Sequence, residues 1–523
     1  MKKTFSFILG SLIASLLIAG CSSSSDGVGT TYLRVYSCED YIYLNDPDEG
    51  YDKEDMTIQF EKWVNTPEIK SKYGIKNNVE VIYDTFDTLE TMYNQLKLAK
   101  TQYDVVCPSD YMIQRLALNK DGLESTNIQK IDYSKLEYYS QYVSPFLRDT
   151  LQGVAIDDND LSKGTLYDYG VGYMWGTLGL VYNPSFASFS DLYTEEEVIA
   201  AFSEDTAWSL LWENDNFAAA AQIKDSIRDT YSMGIMHVYE DEFILLKSQY
   251  EEGLISAEDY KKQASSIFNR HDEETIKKVE AALIELKTRI YGFEVDTGKA
   301  DLVTGKVGVG LQWSGDAVYS LDTAENDDIS LCYALPSLGA NIWFDGWAIM
   351  EQSRGDNLNA AYAWLDFLSI PEHAADNMDY IGYTSFVAGD EVLELIHDWY
   401  DAENEEDAIE YDLSYFFDGT LNEYTLEDAI IFTDREQSYR QLHAQYPQID
   451  EIDHLYIMRD FGSDNDTIVT MWENVKVNPL PVWVQIFVIC SIVLFIAYLG
   501  SYPIIRKATL NHREKLRKKN NLK

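Results

Sequence analysis

Apolar residues along this chain change spacing in a regular order. Residues 32–35 alternate as a short strand, 56–64 carry helical spacing, 79–83 form a strand, 88–100 a helix, and 103–107 a further strand. In the second helix Leu89, Met92, Leu96 and Ala99 recur on one side, and Asp87 with Glu90 three residues on predicts its cap. Strand alternating with helix predicts an α/β fold, a parallel sheet with helices on its faces. Ligands of such sheets sit beyond the carboxyl ends of the strands, so loops 37–41 and 108–111 are the first places to look. Further on, Ile276, Val279, Leu283, Leu286 and Ile290 form one stripe in a charged helical stretch, 237–289, which predicts helices packed on a larger body. Residues 390–466 are acidic and tyrosine-rich, with helical fragments that suggest no role, and 467–475 read as a last helix.

The two ends differ from this body. Behind Lys2-Lys3, an apolar run over 5–18 ends in Leu17-Ile18-Ala19-Gly20-Cys21, which reads as a lipoprotein signal peptide, 1–20, with lipidation at Cys21 and a linker over 21–31. At the far end, 477–505 carry no charge and lead into Arg506, Lys507, Arg513, Lys515, Arg517, Lys518, Lys519 and Lys523. That pattern predicts a transmembrane helix, 477–505, and a basic cytoplasmic tail, 506–523, against the alternative of a buried core helix. The expected location is the cell membrane, lipid-anchored and single-pass, with the main body extracellular or periplasmic.

Hydrophobic residues make up 46% of the chain, enough for a large core, and the net charge is −47. Such a field disfavours nucleic acid and anionic substrates and gathers cations, although acidic runs such as 403–407 also serve solubility. Five cysteines give neither a disulfide framework nor a CxxC, and the seven histidines form no HxH or HExxH, so no metal site is expected. Residues 292–300, GFEVDTGKA, imitate a phosphate loop but place one residue too many before Gly298-Lys299 and Ala300 where a hydroxyl is needed. Nucleotide binding is not assigned, and no cofactor is expected.

Several segments, in order, carry a resemblance: 35–42 (VYSCEDYI), 103–112 (YDVVCPSDYM), 172–177 (GYMWGT), 225–229 (DSIRD), 313–317 (WSGDA) and 343–346 (WFDG), with 381–384 (IGYT) a weaker echo. Together they resemble the polyamine-binding proteins of ABC transporters, the spermidine/putrescine type, over pieces from Tyr32 to Val475. The resemblance implies a two-lobed type II periplasmic-binding fold with a ligand cleft between lobes. Lobe 1 would comprise 32–172 and 346–395, and lobe 2 would comprise 173–345 and 396–475.

A polyamine is a string of ammonium groups joined by methylenes, so its site needs carboxylates and aromatic walls. At the matched positions Glu39, Asp229 and Asp345 supply carboxylates, Tyr41, Tyr111, Trp313 and Trp343 supply walls, and Ser109 adds a hydroxyl. Asp225 and Ser226 leave alternative registers open for the Asp229 motif. The chain departs from the family at Cys38, where a tryptophan is usual, and at Glu39, where threonine or glycine is usual. A shorter, more charge-dense or differently branched amine could follow. Cys38 and Cys107 each end a strand of the same sheet, so a disulfide between them is a further expectation.

What the resemblance implies is capture, not catalysis: a receptor that binds a polyamine and delivers it to a permease driven by ATPase subunits on other chains, closing about hinges near 172–177 and 343–346. Rival readings are a binding protein for another cationic solute, choline-like or an amino-acid derivative; a surface carboxylate-dyad glycosidase; and an anchored interaction protein with a vestigial cleft.

Overall fold

The computed structural model describes residues 29–294, 297–404, 408–477 and 482–520. The signal peptide and Cys21 lie outside them, as do residues 405–407 of the acidic run.

Thirteen strands are formed among the described residues: β1 (Thr30–Cys38), β2 (Asn78–Phe86), β3 (Val105–Val106), β4 (Val171–Tyr182), β5 (Ala221–Lys224), β6 (Gly292–Glu294), β7 (Val309–Trp313), β8 (Cys332–Ala334), β9 (Ala340–Ile349), β10 (Thr384–Ser385), β11 (Ile409–Asp412), β12 (Ile430–Thr433) and β13 (Leu455–Tyr456). Eleven join one sheet whose main path runs β2-β1-β3-β9-β4-β7-β5-β6. The first half is built as the sequence predicts. β1 pairs parallel with β2 and β3, and the helix Met56–Val64 buries Met56, Phe60 and Val64 beneath it, Phe60 edge-on to Trp364 at 5.0 Å. The second half repeats the device with β5 parallel to β6 and β7.

Two long antiparallel strands belong to both halves. β9 pairs with β13 through Ala340 and Asn341, with β4 from Ile342 to Trp347, and with β3 through Ala348 and Ile349. β4 leaves β9 after Thr177 and continues against β7 and β8. All twelve residues of β4 are buried, as both faces of a central strand are covered. The stretch 237–289 folds into Glu240–Glu251, Ala257–Phe268 and Glu273–Lys287, and its expected stripe is buried, Val279 and Leu283 against Gly234.

Three expectations are corrected. The helix predicted over 88–100 spans Leu89–Leu98 and is capped by Thr88, whose Oγ1 accepts from the Thr91 N–H at 3.1 Å; Asp87 instead accepts from the Thr88 N–H. Cys38 and Cys107 are free. With Tyr36 paired to Val106, Cys107 falls opposite Ser37, one residue short of Cys38, and neighbouring residues point to opposite faces. Last, among the described residues no helix is long and apolar enough to cross a membrane. Val482–Asn520 is one helix in which the apolar turns, broken by Gln485, Ser491 and Ser501, run on into the basic residues from Arg506 to Lys519. The expected single-pass helix, its cytoplasmic tail and the membrane location built on them are therefore set aside.

Candidate functional site

The carboxyl ends of β1 and β3, the crossing stretch of β9 and the end of β7 converge on one group of aromatic and acidic side chains. Asp345 of β9 lies at its centre. Its Oδ2 accepts from the Tyr41 hydroxyl at 2.6 Å and its Oδ1 from the Ser109 hydroxyl at 2.5 Å. Both partners are neutral, and among the described residues Asp345 forms no salt bridge. Though part of its surface is exposed, the carboxyl is walled in by protein, and this desolvation raises its pKa against the pull of the two donated hydrogen bonds.

Aromatic rings close around it. Tyr41 lies edge-on to Tyr173 at 5.6 Å and to Tyr383 at 6.2 Å, and Tyr383 is edge-on to Trp343 at 5.2 Å. Two glycines make room for this packing. A Cβ on Gly315 would lie 2.3 Å from the Tyr383 ring, and one on Gly176 would meet Ser314 Oγ at 2.3 Å and Trp343 at 2.6 Å. The Trp343 indole N–H donates to Thr177 O at 3.4 Å. Beside Asp345, Asp110 opens the helix Asp110–Leu118 and accepts from the N–H groups of Tyr111 and Phe344. Burial outweighs these bonds and the nearby Arg228, and its pKa is raised to about 7.

The second part of the group is arranged differently. Trp313, at the end of β7, carries the Lys224 ammonium 3.8 Å from its ring centre. Lys224 pairs with Asp316 at 2.8 Å, and Lys299 pairs with the other oxygen of Asp316 at 3.0 Å. Desolvation would raise the Asp316 pKa, but the two lysines more than offset it and hold it low. Asp229 is buried near the start of the helix Ile227–Val238, bonded by Ser226 and Trp313, and burial raises its pKa. Of the alternatives in this motif, Asp225 accepts from the Trp472 indole at 2.9 Å and pairs with Lys476 at 3.1 Å, while Ser226 bonds to Asp229 itself.

Of the residues singled out from sequence, Tyr41 and Ser109 bond directly to Asp345, Trp343 reaches Tyr41 through Tyr383, and Trp313 and Asp229 meet each other. Tyr111 lies alongside, its ring 3.7 Å from the Arg228 guanidinium, which also stacks on Phe461 at 4.3 Å. Glu39 is exposed and stands outside this network. Sequence reasoning passed over Asp110, Lys224, Asp316 and Tyr383. Asp110, Asp316 and Tyr383 lie inside segments already quoted, but Lys224 carries no pattern of its own. A hollow of about 600 Å³ lies elsewhere, between Tyr32, Arg34, Lys100 and Arg354, remote from these carboxylates.

Comparison with known proteins follows the same lines. Residues 68–402 match the family model described as bacterial extracellular solute-binding protein. The chain is 24% identical over 388 residues to the putrescine-binding periplasmic protein SpuD of Pseudomonas aeruginosa, covering 73% of this chain and 85% of that protein. It is 26% identical over 333 residues to the spermidine/putrescine-binding periplasmic protein of Escherichia coli, covering 62% and 76%. Among solved structures, the spermidine/putrescine ABC transporter substrate-binding protein PotD of Streptococcus pneumoniae superposes with a TM-score of 0.52 at 23% identity, over 85% of this chain and 98% of that one. The TpPotD lipoprotein of Treponema pallidum gives 0.50 at 16%, over 85% and 99%. These likenesses carry the two-lobed α/β binding-protein fold.

Proposed function

The chain belongs to the bacterial extracellular solute-binding proteins, a family of receptors and not of enzymes, and on that footing we propose that it captures a polyamine and delivers it to an ABC permease powered by ATPase subunits on other chains. The observation that carries this reading is Asp345: a carboxylate held by two neutral hydroxyls, with no cation of its own, among Tyr41, Tyr383 and Trp343. A desolvated carboxylate beside electron-rich ring faces favours an ammonium over any neutral or anionic solute. The names of the relatives, which bind putrescine or spermidine, support the same class.

In this reading Ser109 and Tyr41 orient Asp345, Trp343 packs on methylenes, and Tyr111, Trp313, Asp229 and Glu39 belong to the wider cleft. The lobes take the boundaries set out above, with β4 and β9 as the ribbons about which they close. The test is calorimetric titration of the full-length chain with putrescine, spermidine, spermine, choline and glycine betaine. We expect binding of at least one polyamine that is lost in Asp345→Asn. Tighter binding of choline or betaine would instead favour a receptor for quaternary amines, and heat from none of the five would overturn the reading.

A further inference from the structure

Lys224 is the last residue of β5, and β5 runs parallel and adjacent to β7, which ends at Trp313. This neighbouring pair of strand ends brings the lysine across the indole, 3.8 Å from the ring centre. Its ammonium is held there by Asp316 at 2.8 Å, and its side chain is 13% exposed. Lys299 occupies the other oxygen of Asp316 at 3.0 Å and stacks on Tyr319 at 4.9 Å. The ring face and the carboxylate that would receive an ammonium at this end are thus already supplied with one.

Resting on the receptor reading above, we propose that Lys224 is a specificity-determining residue: a built-in cation that fills the Trp313 position, so that the cleft takes a short diamine anchored at Asp345 and excludes the additional ammonium of longer polyamines. The physical basis is like-charge repulsion in a site largely shielded from water, where two ammonium groups cannot share one ring face and one carboxylate. Asp229, beside Trp313, also feels the Lys224 charge, which pulls its pKa down against the rise that burial causes, so this carboxyl too faces a cation already in place.

The test compares putrescine with spermidine by calorimetry on the full-length wild-type chain and on Lys224→Met and Lys224→Arg. The wild type should bind the diamine at least about tenfold more tightly than the triamine. Lys224→Met, which keeps the packing on Trp313 but removes the charge, should improve spermidine binding by about tenfold and leave putrescine within about threefold. Lys224→Arg should keep the wild-type preference. A wild-type chain that prefers spermidine, or an unchanged ratio in Lys224→Met, would overturn the proposal while leaving the receptor reading in place. The wild-type preference is read whether or not the methionine variant folds. Absence of any amine binding would remove the receptor reading, and this inference with it.

Discussion

Asp345 and Asp316 are both half-hidden carboxylates beside a tryptophan and a tyrosine, yet they are finished differently. Asp316 holds two lysines and its pKa is lowered; Asp345 holds only hydroxyls and its pKa is raised by burial. A protein that stabilised itself alone would treat both alike, so the incomplete one is where an outside cation is most strongly invited. The contrast separates folding from binding, and mutation of each acid should reveal a different loss.

The largest effect should come from Asp316→Ala. It strands Lys224 beside an indole without its counterion, and we expect a loss of about 3 kcal/mol in urea unfolding. Asp345→Asn should leave stability unchanged or slightly higher at pH 8, while abolishing amine binding by about 3 kcal/mol, roughly a hundredfold. If Asp345→Asn proved the more destabilising of the two, the assignment of one acid to the fold and the other to the ligand would be reversed.

How far this contrast was legible before the structure depends on what each residue's position requires. Tyr41 and Ser109 sit in loops that follow strands and Asp345 within β9, all in short motifs whose order along the chain already marked them. Lys224 did not, because its placement over Trp313 depends on β5 and β7 being neighbours, although residues 221 and 309 are far apart in sequence. The cap at Thr88 was missed for a smaller reason: adjacent Asp and Thr can each accept from a helix N–H, and composition does not choose between them. The membrane expectation rested on a charge-free window alone, and among the described residues no helix is long and apolar enough to cross a membrane.

The acids also set a pH dependence. Asp110, with a pKa of about 7, faces Asp345 and Arg228, and Cys38, Cys107 and Tyr383 complete the charged and titratable surroundings of Asp345. A carboxyl whose pKa is raised on folding binds more protons in the native state, so stability falls as pH rises from about 4 to about 7 and then levels. Asp110→Asn should flatten that part of the profile. A bound ammonium needs the carboxylates ionised, so affinity should rise across the same interval, with proton release visible as a dependence of the calorimetric enthalpy on buffer. An affinity independent of pH between 5 and 7.5 would mean that Asp110 does not meet the ligand's charge.

The smallest expected change is at Cys38, which lies near Asp345 and is only partly buried. Its thiol is held neutral by burial and then by the charges of Asp345 and Glu39, so it contributes little to a cation. Cys38→Trp would place a ring face beside the open carboxylate. A partly solvated cation–π contact is worth about 1 kcal/mol, so affinity for a short amine should rise by roughly fivefold, measured by the same titration. The gain should vanish in the Asp345→Asn background, because the ring can stabilise only an ammonium that the carboxylate has already drawn in. A gain that survived there would show that the aromatic wall, and not Asp345, carries the attraction.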